Sequence, residues 1–163
     1  MKINALARVR GKLRHGAPVY ALWVSLESAA VTEMAVGLDL DWVVVDAEHG
    51  CLDFREIKEH IRAALRSDLV LLVRLAERST SLTKRVLDLG ADGVVIPWVE
   101  TADQLKAAVA DCRYPPEGRR GIGGERATFW GQCFAEHATE ANQHVLTVPL
   151  IESVGASDHV EAL

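Results

Sequence analysis

The sequence predicts an α/β fold, a β/α barrel with parallel strands, on three observations. Short apolar runs alternate with amphipathic helical segments from Val19 onward. The connections between these runs are too long for hairpins, so successive strands run parallel through right-handed crossovers. No G-x-G-x-x-G follows the first run. An open doubly wound sheet therefore lacks its dinucleotide fingerprint, and the (β/α)8 TIM barrel is favoured over it. A complete barrel takes about 250 residues. The 163 residues hold roughly the first five units and are expected to form one partial barrel domain, 1–163.

Each element has its own signal. Val19–Val24 is the first strand, and Ser25-Leu26-Glu27-Ser28 leads into a helical pattern through Met34 and Val36 with a serine as its cap. Trp42-Val43-Val44-Val45 is apolar on both faces, as a strand covered on both sides must be. Asp53 opens a helix to about Arg66, with Ile57, Ile61 and Leu65 on one face. Leu69–Leu75 is the third strand. Ser79-Thr80-Ser81 then caps a helix carrying Leu82, Val86 and Leu89, closed by Gly90. Gly93–Ile96 is the fourth strand, stopped by Pro97, and Thr101 begins a helix ending near Cys112. A Gly-, Pro- and Arg-rich loop from Tyr114 to Gly124 precedes a helix over Ala135–Gln143, a strand over Leu146–Ile151 and the start of a helix from Gly155.

Composition narrows the function classes. The hydrophobic share of 49% and charged share of 25% are those of a globular domain. A net charge of −5 argues against nucleic acid as a partner, since phosphate binding needs a basic face. The basic run Arg8 to Arg14 reads as a solvated helix face. No apolar run approaches the ~18 residues of a membrane helix, and charges interrupt the N-terminal segment where a signal-peptide core would lie. Cys51, Cys112 and Cys133 show neither CxxC spacing nor an even count, which suits reduced thiols in a cytoplasmic protein. Cys51 has no neighbour known to lower its pKa, so a reactive thiol is disfavoured.

Barrel active sites gather at the C-terminal ends of the strands. Those ends carry Asp46, Glu48 and His49 after the second strand, Arg74 at the third, Pro97-Trp98 at the fourth and Glu152 at the fifth. Taken singly, each has a plain structural explanation: a turn cap, an exposed histidine, a surface ion pair, a helix cap. Together they supply an oriented base, a cation for developing negative charge and a metal-binding carboxylate.

The segment Val44-Val45-Asp46-Ala47-Glu48-His49-Gly50 resembles the D-x-E-H-G signature of the HpcH/HpaI aldolases. Val73-Arg74 and the run from Lys84 to Pro97 are similar to that family's third and fourth units. The stretch Arg113-Tyr114-Pro115-Pro116-Glu117-Gly118-Arg119-Arg120-Gly121-Ile122-Gly123-Gly124 matches as well, with Arg126-Ala127 and Trp130-Gly131 after it. The likeness runs in order from about Val19 to Ser153. It implies a barrel of the phosphoenolpyruvate/pyruvate-binding type and a class II aldolase. Such an enzyme cleaves or forms 4-hydroxy-2-oxo acids, with pyruvate or a related 2-oxo acid as enolate donor and an aldehyde as partner.

Residue by residue, the resemblance makes His49 the catalytic base, Asp46 the carboxylate that orients it, and Arg74 the group that binds the 2-oxo acid and its enolate. Glu152 matches a ligand of a divalent metal, Mg2+, Mn2+ or Co2+. The Gly121–Arg126 loop, with Gly123 and Gly124, matches a segment bordering the substrate pocket, as does Trp98 at the fourth strand end. The family also implies a homo-oligomer, a hexamer. Lys84 is the one lysine weighed as a Schiff-base alternative.

Two departures stand out. Leu150 replaces the glutamine usual two residues before the metal glutamate, which removes a polar group from the pocket wall. The family's second metal carboxylate belongs to the next strand, and Asp158, on the presumed helix after Glu152, reads as a solvated residue. With one carboxylate a hard cation is held mainly by water and substrate. These 163 residues alone are therefore expected to show little aldolase turnover. An acyl-CoA lyase of the citrate-lyase-β type and a non-catalytic barrel fragment are the competing expectations.

Overall fold

The computed structural model describes the whole chain, Met1–Leu163. Helix α1 (Ile3–Arg14) leads into five strand–helix units: β1 (Ala21–Val24), α2 (Ala30–Gly37), β2 (Trp42–Asp46), α3 (Phe54–Ala63), β3 (Val70–Arg74), α4 (Thr80–Asp88), β4 (Gly93–Ile96), α5 (Ala102–Cys112), α6 (Phe134–His144), β5 (Leu146–Pro149) and the short α7 (Val154–Asp158). A single 3-10 turn, Arg126–Thr128, interrupts the long α5–α6 connection, and another closes the chain at Val160–Ala162. No helix is long and apolar enough to cross a membrane.

All four strand pairings are parallel and the sheet order is β1-β2-β3-β4-β5. Sequential order without a reversal is what a barrel wall requires, whereas a doubly wound sheet turns back at its switch point. Because side chains alternate across a strand, this wall has two apolar faces. Val43, Val45, Leu71, Val73, Val94 and Ile96 face outward into the cluster formed with the helices. Val44, Val70, Leu72 and Val95 face inward. The inner face lines a hollow of about 350 Å³, walled by Trp23, Trp42, Val148 and Leu150 among others.

Helix α1 closes the N-terminal end of this hollow. Leu6 and Val9 are fully buried against the inward-facing valines and leucines. The basic run is accordingly more than a solvated face. Lys12 Nζ lies 2.6 Å from Asp41 Oδ1, Arg8 lies 3.9 Å from the same oxygen, and Lys2 Nζ lies 3.2 Å from Asp92. Periodicity along one helix cannot reveal a buried acid supplied by another element.

The helix caps differ from expectation in one place. Asp53 forms a capping box with Glu56, and Ser79 and Thr101 accept from Leu82 and Gln104 amides as capping residues should. Helix α2 has no side-chain cap, however, and starts after Ala29 rather than from a serine. Leu65 falls beyond α3 and is exposed, so only Ile57 and Ile61 of its predicted stripe reach the core.

Candidate active site

Strand parity decides which side chains meet at the C-terminal rim. Trp42, Val44 and Asp46 share one face of β2, and Val70, Leu72 and Arg74 share one face of β3. Asp46 and Arg74 are direct register partners. Both therefore top the inner face. Beyond β5, Glu152 continues the parity of Val148 and Leu150, which line the same inner hollow. The rim charges are thus the last inward layer of an otherwise apolar wall.

Arg74 is the centre of this layer. Its guanidinium is nearly buried and sits among three carboxylates: Nη1 lies 3.4 Å from Asp46 Oδ2, while Nη2 lies 3.4 Å from Glu152 Oε2 and also pairs with Glu48. Its Nε–H is buried without a partner. Asp46 Oδ1 accepts from the backbone amides of Glu48 and His49, at 2.9 and 3.1 Å, and Oδ2 accepts from Trp23 Nε1 at 2.8 Å. Burial alone would raise the Asp46 pKa. The Trp23, His49 and Glu48 hydrogen bonds and the Arg74 charge outweigh it and hold the carboxyl below its ordinary range. Asp46 is therefore a fixed anion and a poor proton carrier.

His49 departs from the expected arrangement. Asp46 grips the His49 backbone, not its imidazole. The ring is 72% exposed, and its nearest acid is Glu48, with Nε2 4.0 Å from Oε1. A carboxylate two or three residues before a tight turn satisfies the amides of that turn first. Asp46 consequently shapes the turn that carries the histidine. Gly50 is needed there because a Cβ would lie against the Asp46 carbonyl and 3.0 Å from the Ser25 carbonyl oxygen.

Trp98 has φ of +51° and an exposed ring, and its amide donates to Glu152 Oε1 at 2.8 Å. It is thus the backbone, at the end of β4, that fixes Glu152. Gly123 and Gly124 are not at this rim. Their loop is tied to the far end of α4, where Arg120 Nη2 donates to Asp88 at 2.8 Å and Arg126 Nε to the Leu89 carbonyl at 3.0 Å. A Cβ on Gly123 would meet Asp88 and Glu125. Helix α4 runs antiparallel to the strands, so its C-terminus lies opposite the rim that holds Arg74. The glycines of this loop therefore pack at the C-terminal end of α4, beside Asp88 and Leu89. Lys84 packs toward Gly121 on that same outer side, and Asp158 is exposed on α7.

One partner, Trp23, and one pairing, that of Glu48 with Arg74, are not read from the sequence. Trp23 is bonded to Asp46 and lies 5.7 Å from the Arg74 guanidinium across its ring. Its position at the end of the first strand was the available signal. Glu48 was visible in the D-x-E-H-G segment, yet its pairing with Arg74 depends on how the turn folds back.

The donor chemistry suits a hard cation in part. No three His, Cys, Asp or Glu side chains converge as a ready metal cage. The cluster is nevertheless all carboxylate, and three anions facing one guanidinium leave a surplus of two negative charges. A divalent oxygen-seeking ion matches both the charge and the donor type.

A parallel wall in sequential order with ionisable groups on its C-terminal rim is the pattern of a β/α barrel, a fold whose active sites lie at that rim. The profile of the HpcH/HpaI aldolase/citrate lyase family matches residues 20–162. The chain belongs to that family. It is 37% identical over 155 residues to the 4-hydroxy-2-oxovalerate aldolase of Novosphingobium aromaticivorans, covering 94% of this chain and 59% of that protein. It is 33% identical to the 2-keto-3-deoxy-L-rhamnonate aldolase of Salmonella gallinarum, over 93% of this chain and 57% of the relative. Among solved structures, a HpcH/HpaI aldolase/citrate lyase family protein from Burkholderia cenocepacia superposes with a TM-score of 0.87 at 33% identity, over 95% of this chain and 63% of the other. Macrophomate synthase superposes with a TM-score of 0.78 at 26% identity, over 99% of this chain and 58% of the other. The chain thus spans less than two thirds of the length of these relatives.

Proposed function

We propose that the protein is a carbon–carbon lyase, an aldolase that generates the enolate of pyruvate or a related 2-oxo acid and adds it to, or releases it from, an aldehyde. Residues 1–163 serve as a single domain of its barrel. The observation that carries this is Arg74, a buried guanidinium at the strand ends with one unpartnered N–H and three carboxylates around it. Forming an enolate places negative charge on the former keto oxygen, and a fixed cation beside it lowers the barrier by several kcal/mol.

The geometry supports a role for each residue. Arg74 binds the 2-oxo acid and donates to the developing oxyanion. Asp46, held ionised by Trp23, Arg74 and two amides, fixes the position of Arg74 and of the Glu48–His49 turn. His49, exposed at the edge of the cluster, is the base: through solvent it takes the methyl proton of the 2-oxo acid as the enolate forms, and it moves the proton of the aldol hydroxyl to and from solvent. Trp98 supplies the amide that aligns Glu152 and an exposed ring against which substrate packs. Glu152 is the side chain that would hold a divalent ion, Mg2+, Mn2+ or Co2+, which when bound supplies Lewis-acid stabilisation of the enolate charge. Leu150 makes the wall below Glu152 apolar, favouring a substrate without a hydroxyl at that point.

The test is exchange of the pyruvate methyl protons in D2O, followed by loss of their NMR signal. Metal-dependent exchange that chelation removes is the expected result. No exchange with any of the three metals would overturn the assignment. Aldol turnover by the 163 residues alone is expected to be slow, because Glu152 is the single metal carboxylate matched.

A further inference from the structure

His60 is a buried titratable group with no part in the chemistry above. It stands on α3, wholly inaccessible, and its two ring nitrogens are both engaged. Nδ1 lies 2.7 Å from the hydroxyl of Thr32 on α2, and Nε2 lies 3.1 Å from the carbonyl oxygen of Leu26. A backbone carbonyl accepts only, so Nε2 carries a proton, and in the neutral ring Nδ1 accepts from the Thr32 hydroxyl. Burial, the largest influence, lowers its pKa against the smaller opposing effects of the Leu26 and Glu27 backbone and the Glu56 charge.

Leu26 belongs to the irregular β1–α2 connection, whose carbonyls have no sheet partner to satisfy them. The neighbouring Ser25 carbonyl oxygen lies 3.0 Å from where a Cβ on Gly50 would stand, so the loop closely approaches the end of the turn that presents His49. We infer that His60 is a positioning residue: it clamps the β1–α2 loop, and that loop buttresses the Asp46–Gly50 turn from the side that Asp46 does not hold. A continuous line of contacts thus runs from α3 through Leu26 and Ser25 to Gly50. The inference deepens the proposed function, since it concerns the turn assigned there to proton transfer.

Hydrogen exchange read by mass spectrometry on the intact protein tests it. In His60→Leu, peptides covering residues 25–29 and 45–52 should exchange about tenfold faster, while those from β4 and α5 keep their parent rates. His60→Gln, whose amide can donate to Leu26 and accept from Thr32, should return both peptides to near the parent rate. Thr32→Val, a milder loss that leaves the Leu26 bond in place, should loosen the same two segments by a few fold and serves if His60→Leu does not fold. Unchanged protection at 45–52, acceleration spread evenly over the protein, or a His60→Gln variant as loose as His60→Leu would each overturn it. The exchange pattern is read without substrate. A failed pyruvate assay therefore removes the enzymatic role and leaves the clamp standing, whereas a failed exchange test removes only the clamp.

Discussion

The two ends of the barrel wall handle buried carboxylates in opposite ways. At the N-terminal end, buried Asp41 and Asp92 meet Lys12, Arg8 and Lys2, and Arg8 also pairs with the exposed Asp68, so the charges balance. At the C-terminal end, Asp46, Glu48 and Glu152 share Arg74 alone. Balanced pairs beside a plug of leucine and valine are what a stabilising closure needs. A surplus of negative charge around one guanidinium with a free N–H is costly by itself and becomes sensible only when something positive or polar arrives. The same wall therefore keeps balanced charge at one end and surplus charge at the other, in line with the division of stability and function between the two faces of β/α barrels.

The largest effect expected is from Arg74→Ala. Pyruvate methyl exchange should fall about a thousandfold, and three uncompensated carboxylates should also cost about 3 kcal/mol of stability, read by urea unfolding. Exchange within tenfold of the parent would mean that the rim cluster is structural like the opposite end. Leu6→Ala should produce the reverse pattern. It removes a fully buried side chain from the plug, at a cost of about 3–4 kcal/mol by denaturant unfolding, with KM for pyruvate unchanged.

Acid should weaken the closed end next. His137 is buried near Met1 and Ile3, and burial first, then Arg120 and the N-terminal amine, lower its pKa from 6.5 to about 4. A histidine whose folded pKa is depressed is neutral in the fold. Its contribution is intact above pH 6.5 and declines as pH falls toward 4, by up to ~3 kcal/mol. His137→Leu should flatten the stability profile over that window, and an unchanged slope would place the acid sensitivity elsewhere. Asp41 and Asp46 act lower. Burial opposes their ionisation, but hydrogen bonds to Lys12 and the Tyr20 amide, and to Trp23 and the turn amides, hold both carboxyls below their ordinary range. The stability they confer is present above about pH 4 and is lost as pH falls through their folded values. Lys84→Met should change least. Lys84 packs toward Gly121, away from the rim, so methyl exchange should persist and borohydride should trap no pyruvate adduct.

Much of this is legible in the sequence. The apolar runs located all five strands to within a few residues, because parallel strands covered on both faces must be continuously apolar. Ser79 and Thr101 were legible as caps for local reasons: hydroxyl, helix start and amide lie within one turn. Other features were not local. The bond from Asp46 goes to the His49 amide and not its ring, because the turn competes for the carboxylate at shorter range. The Gly123–Gly124 loop followed the family motif to the pocket, yet one chain anchors it at Asp88 and Leu89 on the opposite end.

The sequence by itself determined the alternation, hence the parallel wall, and the residue types that stand at each strand end, since both depend on short-range periodicity and steric preference. Tertiary structure alone decided which of those residues meet. Register set Asp46 beside Arg74, parity turned Trp23 and Glu152 inward to join them, and α1 chose Asp41 and Asp92 as its partners. Such contacts join residues far apart in the chain, and no local pattern encodes the angle at which separate elements pack.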